Sequence, residues 1–257
     1  MVRVRADTVT HVQSGGFAYL PDTGRSFSKG VVALEGYVLR RIQLQQLLPM
    51  ETGLNLAADI IRSAGRPLTA FCGCELRIPQ PLTRTDFSAS NRRYIAALQS
   101  SGFSTEPLNP AARTNMAPSS HPPEDASLAA FTFAVPGSSH AICADFLVSG
   151  KPELASDPDR VIAPGDSSLA GLQEKAIYVL GELQRTVRQL GAQWGNITAA
   201  QIYTRSSLGV LEDAFASAGL PLALCTHVPG DPPVFGTSDT RLQFEVDVRS
   251  ITIEETA

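Results

Sequence analysis

Residues 50–65, METGLNLAADIIRSAG, are followed by PLTAFCGCELRIP (67–79) and TDFSASNRRYIAALQSSG (85–102), and this succession decides the fold. Leu54, Ala57, Ala58 and Ile61 recur at helical spacing, and Gly65 stands where a left-handed glycine ends a helix. The apolar stretch from Leu68 to Ile78, closed by Pro79 and Pro81, predicts a strand. Asp86 is placed to cap a second helix carrying Phe87, Tyr94, Ile95 and Leu98. The same succession returns about 120 residues later. In SLAGLQEKAIYVLGELQRTVRQLG (168–191) Leu172, Ala176, Val179, Leu183 and Val187 share one face, and Gly191 ends the helix. ITAAQIYT (197–204) predicts a strand, and Leu208 to Ala218 a short second helix. Helix, strand and helix therefore occur twice, the mark of an internal repeat.

Extended segments flank each unit. GGFAYLPD (15–22) and GVVALEGYVLRRIQL (30–44) precede the first, joined through DTGRS (22–26), where Asp22 and Gly24 have hairpin chemistry. SLAAFTFAV (127–135) follows it. HAICADFLVSG (140–150) precedes the second unit and RLQFEVDVRSITI (241–253) follows it, with Leu242, Phe244, Val246 and Val248 alternating with polar residues. That alternation predicts a sheet with one buried and one wetter face. The expected fold class is α+β: two tandem β–β–α–β–α–β domains, each a mixed sheet with both helices on one face. The expected domains span 1–135 and 136–257, with the seam in VPGSS (135–139) and an irregular loop at APSSHPPEDAS (117–127).

Composition narrows the function. The 257 residues are 43% hydrophobic, which excludes a disordered chain, and a net charge of −4 with scattered arginines argues against nucleic acid as the partner. No apolar run approaches the ~20 residues that span a bilayer, and MVRVRADTVT lacks the apolar core of a signal peptide. Cys72, Cys74, Cys143 and Cys225 are too few and too unevenly spaced for a disulfide framework. The expectation is a reduced cytoplasmic protein with no membrane partner. No nucleotide-binding glycine loop, esterase elbow or zinc-peptidase motif is present in the sequence.

The order of elements resembles the Rid superfamily, also called YjgF/UK114 or L-PSP endoribonuclease-like, whose domains are chorismate-mutase-like. DFSASNRRYIAAL (86–98) resembles the family's second helix, and NPAARTNMAP (109–118) its P-x-R stretch, in which an arginine binds the substrate carboxylate. ADFLVSGKPEL (144–154) resembles the family's strand and Ser-Gly turn, and LQFEVDVRSI (242–251) its closing strand. The resemblance implies a tandem Rid protein with Arg113, Asn91 and Asn115 as its site residues. The halves depart from the family differently. The second has Ala223 where the arginine is expected, Glu212 in place of Asn91, Cys225 on a position that is often Cys, and Asp247 where deaminating members carry Glu. The first has Ala130 and Phe131 in the acidic position. Either Phe17 or Tyr19 could supply the family's N-terminal aromatic.

Read as residues, Arg113 can hold a planar carboxylate bidentately and stays charged at any working pH; the plainer alternative is a surface arginine after Asn109-Pro110. Asn115 follows by two, so in an extended segment it shares the face of Arg113. Asn91 suits a pocket wall or a solvated first turn. Cys72 and Cys74 share a predicted strand face without further metal ligands nearby and read as small hydrophobes. Cys225 and His227, two apart on a strand, lie about 7 Å from each other, too far for a nucleophile–base hydrogen bond. His121, Glu124 and Asp125 suit a solvated loop, or a lid carrying an acid or base.

The family resemblance implies cofactor-free hydrolytic deamination of an enamine or imine acid, such as a 2-aminomuconate-type intermediate of aromatic degradation, to a keto acid and ammonia. Family members assemble as trimers with sites between neighbouring domains, which implies a homotrimer; Asp247 could then complete a site only in a cleft between unlike halves. The rival expectations are a catalytically silent ligand-binding protein and, against the acidic composition, a ribonuclease.

Overall fold

The computed structural model describes residues 8–137, 144–156, 159–236 and 240–257. His140, Cys143 and the end of the expected seam, 138–139, lie outside the described residues. The hairpin expected at Asp22 and Gly24 forms: β1 (Thr10–Val12), β2 (Phe17–Leu20) and β3 (Gly30–Ala33) pair antiparallel in that order. The run 30–44 is not a single strand. It turns at Gly36, where φ is 81° and an L side chain would be strained, and continues as β4 (Tyr37–Pro49) in another sheet.

The first repeat unit is then α1 (Met50–Ser63), β5 (Phe71–Arg77), α2 (Arg84–Ser100), β6 (Ala112–Pro118) and β7 (Ser127–Pro136). The second begins with β8 (Phe146–Pro152) and a small hairpin of β9 (Leu154–Ser156) and β10 (Asp159–Val161). It continues through α3 (Leu169–Gln189), β11 (Ala199–Thr204), α4 (Glu212–Ser217) and β12 (Cys225–Val228). The short β13 (Gly230–Asp231), β14 (Phe244–Ser250) and β15 (Ile253–Thr256) complete the chain. In each unit the strand after the second helix runs parallel to the strand before it, β6 to β5 and β12 to β11.

The fold is α+β with two such units, as the repeat predicts. Sheet membership, however, crosses residue 135. One sheet has the order β1-β2-β3-β8-β14-β11-β12, the other β13-β6-β5-β7-β4-β15. The N-terminal hairpin thus completes the sheet of the second unit, and β13 and β15 edge the sheet of the first. Periodicity marks such strands but carries no information about which sheet receives them.

Local signals hold with small shifts. Gly65 ends α1 in the left-handed conformation, its N–H donating to the Arg62 carbonyl. The cap of α2 is Thr83 rather than Asp86: Thr83 Oγ1 accepts from the Asp86 N–H at 3.1 Å and donates to the Asp86 carboxylate at 2.8 Å. This reciprocal pair starts the helix one turn's reach earlier than Asp86 would.

Leu54, Ala58 and Ile61 of α1 and Tyr94 and Leu98 of α2 pack on Leu76, Leu128 and Phe133 of one sheet. Leu172, Val179, Leu183 and Val187 of α3 pack on Phe146, Ile202 and Val246 of the other. A third cluster, with Phe17, Val31, Leu39, Ala112 and Leu147, lies where the sheets face each other. The helices are therefore outside and the sheets inside, in four layers. Each buried leucine contributes about 1.5–3 kcal/mol. Among the described residues no helix is long and apolar enough to cross a membrane.

The inner layer is not wholly apolar. Buried Glu75 accepts from Arg41 at 2.7 Å, from Arg77 at 3.3 Å and, across the two sheets, from Gln201 at 3.1 Å. Burial raises its pKa, but Arg41, Arg77 and Arg249 outweigh it and hold the carboxyl well below the usual carboxylate range. A lowered folded pKa stabilises above the ordinary value and loses that contribution as pH falls. Glu75→Gln is expected to cost about 3–5 kcal/mol, because it leaves buried arginines without their counter-charge. Urea unfolding at pH 7 measures this; a loss below 1 kcal/mol would show that water or rearrangement compensates them.

Candidate active site

Arg113 lies on β6 opposite Cys74 of β5, so its side chain faces α2. It is 4% exposed, and three rings surround its guanidinium: Phe27 at 4.3 Å, Tyr94 at 4.7 Å and Phe87 at 5.7 Å from centroid to Cζ. The rings hold the cation by their negative faces. Tyr94 is itself positioned by Cys74 Sγ at 3.4 Å and Asn109 at 3.5 Å. Arg113 Nη2 donates to Asn91 Oδ1 at 2.8 Å, while Nε has no partner in the protein. Burial pulls the Arg113 pKa down, yet a guanidinium is too basic to lose its proton in this range. Asn115, two residues on, is also buried, and its Oδ1 has no partner. The structure therefore brings Arg113, Asn91 and Asn115 together on one cavity of about 590 Å³.

The other wall comes from the second unit. Arg113 N donates to Ser149 Oγ of β8 at 3.0 Å, and Gly150 N donates to Thr114 Oγ1 at 3.1 Å, which locks β8 against β6. Glu245 of β14 reaches the cavity beside Gly150. A Cβ at residue 150 would stand 2.0 Å from Glu245 Oε1 and 3.0 Å from Thr114, so only glycine leaves room for this carboxyl. The cleft between unlike halves thus forms inside one chain.

Glu245 is 2% exposed and its Oε2 has no partner. Burial, with Asp247 and Glu153 adding like charge, raises its pKa well above the carboxylate range; Arg25 and Arg113 oppose this without closing an ion pair. A buried carboxyl shifted in this direction beside a fixed cation suits acid catalysis on a bound carboxylate.

Several expected residues lie elsewhere. Asp247 is not at the cavity: its Oδ2 accepts from Tyr203 Oη at 2.7 Å in the charged inner layer near Arg249. The acid is Glu245, two positions earlier on the same face of β14, a register offset that alternation alone cannot resolve. Neither Phe17 nor Tyr19 reaches the cavity; both pack between the sheets, and Phe27 supplies the aromatic. Cys72 and Cys74 do not share a face, because a bulge between Phe71 and Gly73 turns Cys72 between the sheets and leaves Cys74 under α2. Both thiols are buried and pushed up in pKa, Cys74 to about 11.

Cys225 and His227 are on the edge strand β12 and do not meet: Cys225 Sγ contacts the Pro221 carbonyl and His227 Nε2 the Thr204 carbonyl. Burial pushes the Cys225 thiol up to about 12, the wrong direction for a nucleophile. Cys225→Ser is expected to keep turnover within a few-fold, and a hundredfold loss with an unchanged melting curve would return the thiol to the site. Glu212 and Ala223 are exposed, Phe131 is buried in the core under α1 and α2, and Ala130 is buried between Glu75 and Gln43 of the neighbouring strands. Asp125 pairs with Arg93 at 2.7 Å, which also holds Glu51, so this loop is pinned away from the cavity. Among the described residues no His, Cys, Asp and Glu cluster could hold a metal ion.

The site's two walls come from residues far apart in sequence, and comparison with known proteins covers both. A family model described as "2-aminomuconate deaminase CnbZ" matches residues 9–255. The 2-amino-5-chloromuconate deaminase of Comamonas testosteroni is 31% identical over 240 residues, 91% of this chain and 93% of that protein. A chorismatase structure superposes with a TM-score of 0.50 at 13% identity, covering 86% of this chain and 77% of its own, a likeness of fold. The YjgF gene product of E. coli, at 13% identity and a TM-score of 0.32, covers 42% of this chain and 80% of its own. With its sequence matched across both units and both walls of the cleft, this chain belongs to the 2-aminomuconate deaminase CnbZ family.

Proposed function

We propose that the protein deaminates an enamine or imine acid of the aminomuconate type hydrolytically, giving a keto acid and ammonia without a cofactor. The observation that carries this reading is the convergence of three buried polar atoms without protein partners, Arg113 Nε, Asn115 Oδ1 and Glu245 Oε2, on residues of one cavity. Buried polar atoms are normally paired, so such a group marks where a polar ligand belongs.

Arg113, steadied by Asn91, holds the carboxylate next to the reacting carbon. Protonated Glu245 gives its proton to the enamine, which becomes an iminium ion with an electrophilic carbon. Water, oriented by Asn115, adds to that carbon and returns a proton to Glu245. The resulting carbinolamine takes a proton from Glu245 on nitrogen; its C–N bond breaks and ammonia leaves as the C=O bond forms, and the hydroxyl O–H breaks and returns its proton to Glu245. One water is consumed and one ammonia leaves. Orientation and proton transfer supply the rate enhancement.

The test is release of ammonia and keto acid from 2-aminomuconate generated in situ by a coupled oxidase or dehydrogenase. Release well above the buffer rate is expected. A rate equal to buffer, for this substrate and for simple 2-imino acids, overturns the reading in favour of a silent binding protein.

A further inference from the structure

The cavity holds a second cation beside the same ring as Arg113. Arg25, in the loop between β2 and β3, places its guanidinium carbon 5.7 Å from the centroid of Phe27, on which Arg113 stacks at 4.3 Å. The two guanidinium carbons therefore lie within about 10 Å of each other. The only carboxylate paired with Arg25 among the described residues is Asp22, three positions away and 3.4 Å distant, and both side chains are partly exposed. Burial lowers the pKa of Arg113 and of Lys151, and repulsion from Arg25 lowers both further. Two like charges on one ring, one of them weakly countered, favour an anion that reaches both. A substrate with one carboxylate needs only Arg113.

We propose that Arg25 receives the distal carboxylate of a dicarboxylate substrate while Arg113 holds the proximal one; the assignment rests on the deaminase reading of the same cavity. The carboxyl carbons of an extended six-carbon diacid are about 6 Å apart by ordinary bond lengths. With its carboxylates meeting the two guanidinium groups from the side rather than end-on, such a molecule bridges arginines whose guanidinium carbons are no more than about 10 Å apart. Phe27 then offers its face to the conjugated chain in between. Arg25 determines specificity; it does not touch the reacting atoms.

Titration calorimetry with muconate and sorbate, six-carbon dienes bearing two carboxylates and one, separates the two roles. Wild type is expected to prefer muconate by about tenfold or more. Arg25→Gln is expected to remove that preference by weakening muconate while sorbate changes less than twofold, and Arg25→Lys to restore part of it. Arg113→Gln is expected to weaken both ligands. In turnover, Arg25→Gln should raise KM for 2-aminomuconate more than it lowers kcat. Equal weakening of both ligands by Arg25→Gln, unchanged muconate affinity, or a wild type without preference each overturns the assignment. The expected selectivity in a protein that releases no ammonia would uphold Arg25 as a carboxylate residue and overturn the deaminase reading instead. Arg25 is partly exposed, so melting curves of the variants serve as the folding control.

Discussion

Arg113→Ala is expected to lower kcat/KM for an imino or enamino acid by about thirty- to a thousand-fold, the equivalent of about 2–4 kcal/mol. Among the described residues the Arg113 guanidinium is the one cation enclosed by Phe27, Tyr94 and Phe87 with an N–H left for a ligand. In so desolvated a place a charge-assisted bond is worth more than at the surface. Arg113→Lys should recover only part of the loss, because an ammonium cannot reproduce the planar fork or stack on Phe27. Ammonia release measures turnover, and circular dichroism checks that the alanine variant, which leaves a void among three rings, still folds. Equal rates for wild type and Arg113→Ala, both above buffer, would move the reaction to another cavity.

Glu245→Gln is expected to cost about 10²–10⁴ in kcat, the usual contribution of a positioned acid. The pH dependence gives a sharper signature. Burial raises the Glu245 pKa, so the reactive, protonated form is lost as pH rises through that value. The wild-type rate should fall on the alkaline side, and Glu245→Gln should lack that limb. Stability should move the other way. A carboxyl with a raised folded pKa contributes stability below its ordinary value near 4.5 that is lost as pH rises. Glutamine cannot ionise, so the variant should resist urea at pH 8 at least as well as wild type. A variant that is slower and also less stable at every pH would make Glu245 a structural residue. Asp247→Asn should leave the alkaline limb in place, since Asp247 bonds Tyr203 away from the cavity.

Much of this site was legible in residue types and spacing. Arg113 and Asn115, at i and i+2, could be assigned to one face because an extended chain alternates, and they do line one cavity with Asn91. Glu245 was harder to find. The alternation of Leu242, Phe244, Val246 and Val248 put Glu245, Asp247 and Arg249 together on the polar face. Which of them reached the cavity of Arg113 depended on how far β14 had slid along β8. The space left by Gly150, in a Ser-Gly pair already noted, was the available signal. Arg25 and Phe27 carried none, because a turn sequence says nothing about what the turn covers.

The sequence by itself determined the two repeated helix–strand units, their amphipathic faces and the ends of α1 and α3, since caps, glycines and apolar periodicity act over a few neighbouring residues. Tertiary structure alone decided that the N-terminal hairpin joins the second sheet, that β15 returns to the first, and that Arg113 shares a cavity with a carboxyl 132 positions away. A strand's edge donors and acceptors are alike in every sheet, so its partner is chosen by the packing of whole layers rather than by its own residues.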